Sequence, residues 1–255
     1  MDSWFKKVVN YFFPFSKSVN SQLRDFEEII GYNFKNKNYL KHALSHRSYV
    51  YSHDGTSLES NERLEFLGDA VLDLIVSDHL YHIYPEKREG TLSKYKSLII
   101  SRKVLKHASD KINLEKYIFL SDSEEKSGGR SRISINSDAI EAVIGAIYLD
   151  GGHKNARAFI QKIVLADMEE ILKDRKLFNY KSILLEYFQS IGRSLPRYVT
   201  IEESGPEHNK TFKLCVEYED KKYNAGRGKT KKDAEQDAAR AALEELGVLS
   251  KNCEV

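Results

Sequence analysis

Cysteine is scarce in this chain, with Cys215 and Cys253 the two in 255 residues. They have no metal-ligand spacing and offer no disulfide scaffold, so the expected setting is the reducing cytosol, a cytoplasmic localisation. No apolar run reaches the length of a membrane span, and no membrane partner is expected. Net charge is small: 40 Lys plus Arg against 38 Asp plus Glu, or +2. Affinity for a polyanion would therefore have to come from a local cluster. The first fifteen residues are aromatic, with Trp4, Phe5, Tyr11, Phe12, Phe13 and Phe15. They lack a small-residue cleavage site and Pro14 interrupts them, so they do not read as a cleavable signal. An interfacial helix and a segment docked on the protein's own surface are the two readings left.

Strand patterns are also missing from the first 173 residues, which read as all helix. The stretch Asn61-Glu62-Arg63-Leu64-Glu65-Phe66-Leu67-Gly68-Asp69-Ala70-Val71-Leu72-Asp73 stands out. On a helix, Glu62, Glu65, Asp69 and Asp73 fall three or four apart and share one face. Four like charges on one face repel unless a cation sits among them. A solvated face and a divalent-metal site are both compatible with that spacing. The helix should begin near Asn61 and stop at Pro85. A neighbouring region, Leu92 to about His107, reads as one further helix, with Glu89 just before it. Asp122 to Ser134, polar and with Gly128-Gly129 and several basic residues, reads as a mobile loop near a phosphate backbone.

A second stretch weighs on the choice. From Ala139 to Leu149 the chain is apolar almost all round, as a central buried helix should be. Glu141 lies inside that run, with Asp138 three residues earlier at the expected helix start. Burying an unpaired carboxylate is costly, so Glu141 needs a cation or a hydrogen-bond network. A second carboxylate nearby favours the cation. The small residues Ala142, Gly145 and Ala146 would let another helix approach closely. Gly151-Gly152 should close this helix, and Asn155 to about Lys173 should pack beside it. Asn38 is the expected cap of an earlier helix carrying His42; His42 and His46, four apart, suit structural roles better than a metal.

From Tyr180 the pattern changes. Ser182 to Gln189 is helical; Tyr198–Glu202, Thr211–Tyr218 and Lys221–Arg227 suit three antiparallel strands; Thr230–Leu246 is an alanine-rich helix. Between Tyr180 and Gly247 basic and acidic residues balance at 12 each. The average hides Lys221, Lys222, Arg227, Lys229, Lys231 and Lys232, which occur with no acid among them. Lys229, Lys231 and Lys232 stand at the start of the last helix, where free amide groups already attract phosphate. The expected organisation is an arm over 1–19, an all-α domain over 20–173, a linker over 174–179, an α-β-β-β-α domain over 180–247 and a tail over 248–255.

Taken together these blocks resemble the ribonuclease III family. Residues 61–73 match its signature. Glu89-Gly90-Thr91-Leu92-Ser93 and Asp138-Ala139-Ile140-Glu141-Ala142 are similar to its other acidic blocks, and Ala43-Leu44-Ser45-His46-Arg47-Ser48-Tyr49 to its early segment. The second domain resembles a double-stranded RNA-binding domain through Gly205-Pro206-Glu207-His208, Phe212 and Gly226-Arg227-Gly228-Lys229-Thr230-Lys231-Lys232. The resemblance covers about residues 20 to 247.

The resemblance implies a bacterial-type, metal-dependent endonuclease acting on double-stranded RNA, leaving 5′-phosphate and 3′-hydroxyl ends with two-nucleotide 3′ overhangs, in rRNA and other RNA processing. It makes Glu65, Asp69, Asp138 and Glu141 ligands of Mg²⁺, with Mn²⁺ as a substitute. Asp69 and Glu141 would be the most sensitive to substitution. Glu62 and Glu89 match acidic positions assigned to substrate or cleft contacts; for Glu62, cleft and metal periphery both stay open. Asp73 drops out. The family is homodimeric, and Phe66 matches the aromatic residue that enters the partner subunit, although core packing is equally allowed. Glu186, Pro206, His208, Lys229, Lys231 and Lys232 would contact RNA. Leu185 stands where many relatives have glutamine. A non-catalytic double-stranded RNA-binding protein on the same fold is the alternative, and an enzyme acting on small phosphorylated molecules a weaker one.

Overall fold

The computed structural model describes residues 17–174, 177–192, 194–206, 209–219 and 221–249. The aromatic arm, His208 and Cys253 lie outside the described residues. The chain divides into two compact units, one ending at Leu172 and one starting at Lys173.

The first unit is helical: α1 (Lys17–Ile30), α2 (Lys37–Leu44), α3 (Arg47–Ser52), α4 (Glu62–Ile83), α5 (Glu89–Ile99), α6 (Arg102–Lys111), α7 (Asp122–Lys126), α8 (Ile133–Ile163) and α9 (Met168–Lys173). Its core gathers Phe26, Leu40, Leu44, Leu72, Ile75, Ile99, Leu105, Ile140 and Ile144. The signature helix α4 and the apolar helix α8 form its most extensively packed pair. Two glycines allow that approach. A Cβ on Gly68 would stand 1.8 Å from the Glu141 carbonyl oxygen, and one on Gly145 would stand 2.3 Å from the Leu64 carbonyl oxygen. Backbone thus meets backbone one turn from Glu65 and beside Asp69.

Several local expectations change. Asn36, not Asn38, caps α2: its side-chain oxygen accepts from the Asn38 amide at 3.1 Å, satisfying a free first-turn donor. Helix α2 ends at Leu44, so His46 falls outside it and caps α3, its Nδ1 accepting from the Ser48 amide. The region Leu92–His107 splits into α5 and α6 at Ser101, whose extended backbone turns the chain so that Ile99 and Leu105 both enter the core. The expected loop Asp122–Ser134 is structured. Ser121 caps α7; Arg130 bonds Glu125 and the Ile118 carbonyl; Arg132 bonds Glu124 at 2.6 Å. Its charges satisfy one another. Helix α8 starts at Ile133, so Asp138 lies in its second turn. The helix breaks at Gly152, where φ is +74°. The later segment is not one helix: it ends at Ile163 and resumes as the short α9.

The second unit has α10 (Tyr180–Ser190), β1 (Arg197–Ser204), β2 (Thr211–Tyr218), β3 (Lys221–Lys222), β4 (Gly226–Gly228) and α11 (Lys231–Glu245). All pairings are antiparallel; β2 pairs with β1, β3 and β4. The expected third strand is thus two short ones. The core joins Leu184 and Phe188 of α10, Val216 and Tyr218 of β2, and Ala238, Ala239, Ala242 and Leu243 of α11. Strand β4 lies directly on α11: a Cβ on Gly226 would be 2.0 Å from the Ala238 amide nitrogen. The two units together have the expected class, all-α followed by a small α+β domain.

Candidate metal centre and nucleic-acid interface

Helices α4 and α8 open a cleft of about 730 Å³ in the first unit. Glu62, Glu65 and Asp69 line it from α4, and Asp138 and Glu141 from α8. Single carboxylate oxygens of Glu65, Asp138 and Glu141 lie within 4.8 Å of one another. Two full charges at that separation repel by about 3 kcal/mol at an effective dielectric constant of about 20. The cluster responds by resisting ionisation. Burial, then Asp69, Glu65 and Asp138, push the Glu141 carboxyl up to about 8. Glu65 is raised as well, chiefly by burial and then by Asp138 and Glu62.

Three hard oxygen donors converge at one point, and Arg102, 3.9 Å from Asp138, offsets only part of their charge. That donor set fits a divalent cation such as Mg²⁺, Mn²⁺ or Ca²⁺. Asp69 lines the same cleft and is the neighbouring carboxylate that most raises Glu141, but it is outside the converging trio. Glu62 stands at the rim, 3.7 Å from Arg47 and 3.4 Å from the Ser60 hydroxyl. Glu89 is not brought into this cleft. It begins α5, is exposed, and accepts from the Ser93 hydroxyl at 2.7 Å. Asp73 pairs with Lys96 at 3.0 Å, which accounts for its equal spacing on α4 without a role in the cleft.

Phe66 does not pack in the core; it is 80% exposed. Ala70, Leu74, Ser77 and Tyr81 are exposed along the same side of α4. Their steps of four, four, three and four make one stripe. His42 is half-buried, desolvation lowers its imidazole to about 4, and it does not reach the cleft. The sequence assigned no role to Arg102, Arg132 or Glu124, yet all three line the cleft. Arg102 and Glu124 lie outside the acidic blocks and Arg132 six residues before Asp138, and no local pattern marks them.

In the second unit, Lys229 precedes α11 and donates to Asn209 Oδ1 at 2.8 Å. Asn209 in turn donates its amide to the Pro206 carbonyl. Lys229 is therefore linked to Pro206 through Asn209. Thr230 caps α11 by accepting from the Asp233 amide. Lys231 pairs with Glu203 at 2.7 Å, Lys221 with Glu245 at 3.0 Å and Lys222 with Glu217 at 3.7 Å. The acid-free run of the sequence is thus partly neutralised in space. Lys232 is exposed on the first turn of α11, and Glu186 and Leu185 are exposed on α10.

A family model described as ribonuclease-III-like matches residues 36–168, and one described as double-stranded RNA binding motif matches residues 180–246. Ribonuclease 3 of Borreliella afzelii is 45% identical over 238 residues, covering 92% of this chain and 95% of its own. Ribonuclease 3 of Carboxydothermus hydrogenoformans is 42% identical over 229 residues, with 88% and 95% covered. Among solved structures, the nuclease domain of ribonuclease III from Campylobacter jejuni is 40% identical, with a TM-score of 0.53 over 56% of this chain and 96% of that one. With its acidic cleft on crossed helices and its lysine-tipped α+β unit, this chain belongs to the ribonuclease III family, in the bacterial arrangement of an N-terminal nuclease domain followed by a double-stranded RNA-binding domain.

Proposed function

We propose that this protein is a Mg²⁺-dependent endonuclease that hydrolyses double-stranded RNA, leaving 5′-phosphate and 3′-hydroxyl ends with two-nucleotide 3′ overhangs. The carrying observation is the convergence of Glu65, Asp138 and Glu141 in one cleft, in a chain that also carries a double-stranded RNA-binding motif. These three carboxylates, with Asp69 beside them, would hold the cation. When bound, such an ion neutralises charge on the scissile phosphate and makes water a better nucleophile. Burial of Glu141 holds the site partly out of water, so its ligands are poorly stabilised without a cation. The stated ends require water to attack phosphorus with departure of the 3′ oxygen; attack by the neighbouring 2′-hydroxyl would leave a cyclic phosphate instead.

The exposed stripe of Phe66, Leu74 and Tyr81 supports a homodimer in which each protomer contributes one acidic centre to a shared cleft. In that reading Phe66 is buried in the partner. Glu62 meets substrate at the cleft rim, and Glu89 acts only if the assembly or the RNA brings it near. In the second domain, Glu186, Pro206 and His208, and Lys229, Lys231 and Lys232 would follow the minor, next minor and intervening major grooves of A-form RNA. Processing of rRNA and other RNA in the cytoplasm is the proposed setting. A protein that only binds RNA would not need the complete acidic set.

End-labelled duplex RNA incubated with the protein and with Glu141→Gln, in Mg²⁺ and in chelator, tests the reading. Cleavage by the unmodified protein in Mg²⁺ alone is expected. Equal cleavage by both proteins, or cleavage in chelator, would sink the mechanism. Binding without cleavage under varied divalent ions would favour the binding-only alternative.

A further inference from the structure

Arg102 is the first residue of α6, and its guanidinium reaches into the acidic cleft. Its Nη2 lies 3.9 Å from Asp138 Oδ1, a separation that gives attraction but no hydrogen bond. The side chain is 69% exposed, so it is free to swing. The two other arginines of the cleft face acids outside the trio: Arg47 lies 3.7 Å from Glu62, and Arg132 bonds Glu124 at 2.6 Å. Arg102 is therefore the cation facing the converging trio of Glu65, Asp138 and Glu141 in the described residues.

A loosely held guanidinium beside three carboxylates occupies the place where a divalent cation would concentrate its field. The two cannot both sit there without repulsion. From these contacts we infer that Arg102 is a resident counter-ion, which a divalent cation must displace from Asp138, and that the displaced guanidinium then faces the cleft mouth and holds a phosphate of the duplex. The residue thus lowers the affinity of the free protein for metal and raises its grip on RNA once metal is bound. It is a positioning residue: it couples metal to duplex, since the guanidinium that metal displaces is the one that holds phosphate. This rests on the metal-dependent nuclease reading, but its first half concerns metal binding alone.

Calorimetric titration of the full-length protein with Mn²⁺, in the absence of RNA, tests the first half. R102Q should bind Mn²⁺ roughly threefold to tenfold more tightly than the unmodified protein, the size expected for one exposed charge near a divalent ion. R102K keeps the charge and should bind as the unmodified protein does. Glu141→Gln identifies which heat belongs to this site. Equal affinity in all three position-102 proteins, or tightening in R102K as large as in R102Q, overturns the counter-ion. Cleavage at saturating Mn²⁺ tests the second half: R102Q should raise KM for duplex RNA several-fold with kcat little changed. An unchanged KM overturns the phosphate contact. Absence of cleavage by the unmodified protein would refute the nuclease reading, while the Mn²⁺ titration would still decide the counter-ion.

Discussion

Glu141→Gln should abolish cleavage and yet stabilise the metal-free protein. The reason is linkage. Burial and the neighbouring Asp69, Glu65 and Asp138 move the Glu141 carboxyl from the usual 4.5 to about 8. Between those values the folded chain keeps a proton that the unfolded chain has released. Stability therefore falls as pH rises through this window and levels off above it. From about pH 6 to about pH 8.5 the two values imply about 2.5 kcal/mol before any discount. The carboxyl is partly open to water, and screening brings this to about 1 kcal/mol. For a domain of this size that is about 2–4 °C in Tm. The assay is calorimetry of the first unfolding transition in chelator across that pH range. The unmodified protein should lose about 2–4 °C more than Glu141→Gln does. Saturating Mg²⁺ should remove the difference, since a ligand of the folded state alone stabilises it. Parallel Tm curves for the two proteins in chelator would refute the reasoning.

Other substitutions probe separate links in the same chain of cause. Gly68→Ala forces a Cβ to within 1.8 Å of the Glu141 carbonyl oxygen, so α4 and α8 must part; chemical denaturation should show a loss of about 3 kcal/mol or more. Phe66→Ala removes a side chain that is 80% exposed, so sedimentation velocity should show a shift from dimer to monomer while the helical content of the protomer is kept. Persistence of the dimer would place the interface elsewhere. Lys232→Ala removes an exposed charge at the start of α11; duplex RNA affinity should fall, and the slope of log affinity against log salt should become shallower by about one. An unchanged slope would remove Lys232 from the phosphate contacts.

The residues differ in how openly they declared themselves. Glu65, Asp69, Asp138 and Glu141 stand in two local patterns, and Glu141 inside an apolar run is informative alone because burial of an unpaired charge is costly. The glycine and alanine stripe of α8 likewise announced a close helix partner, and Gly145 supplies it. The loop Asp122–Ser134 misled because polar composition does not distinguish charges seeking solvent from charges paired with each other. Arg130 and Arg132 are of the second kind.

The sequence by itself determined the all-α then α+β order, the two acidic helices and the lysines at the start of α11, because periodicity, capping and charge spacing act over a few residues. Tertiary structure alone decided which acids meet. Gly68 and Gly145 set the α4–α8 approach, and that crossing brings Glu65 to Asp138 and Glu141 while leaving Glu89 outside. It also decided that Phe66 stays out of the core and that Arg102 comes in, for such contacts depend on where helices cross, and no local pattern encodes that.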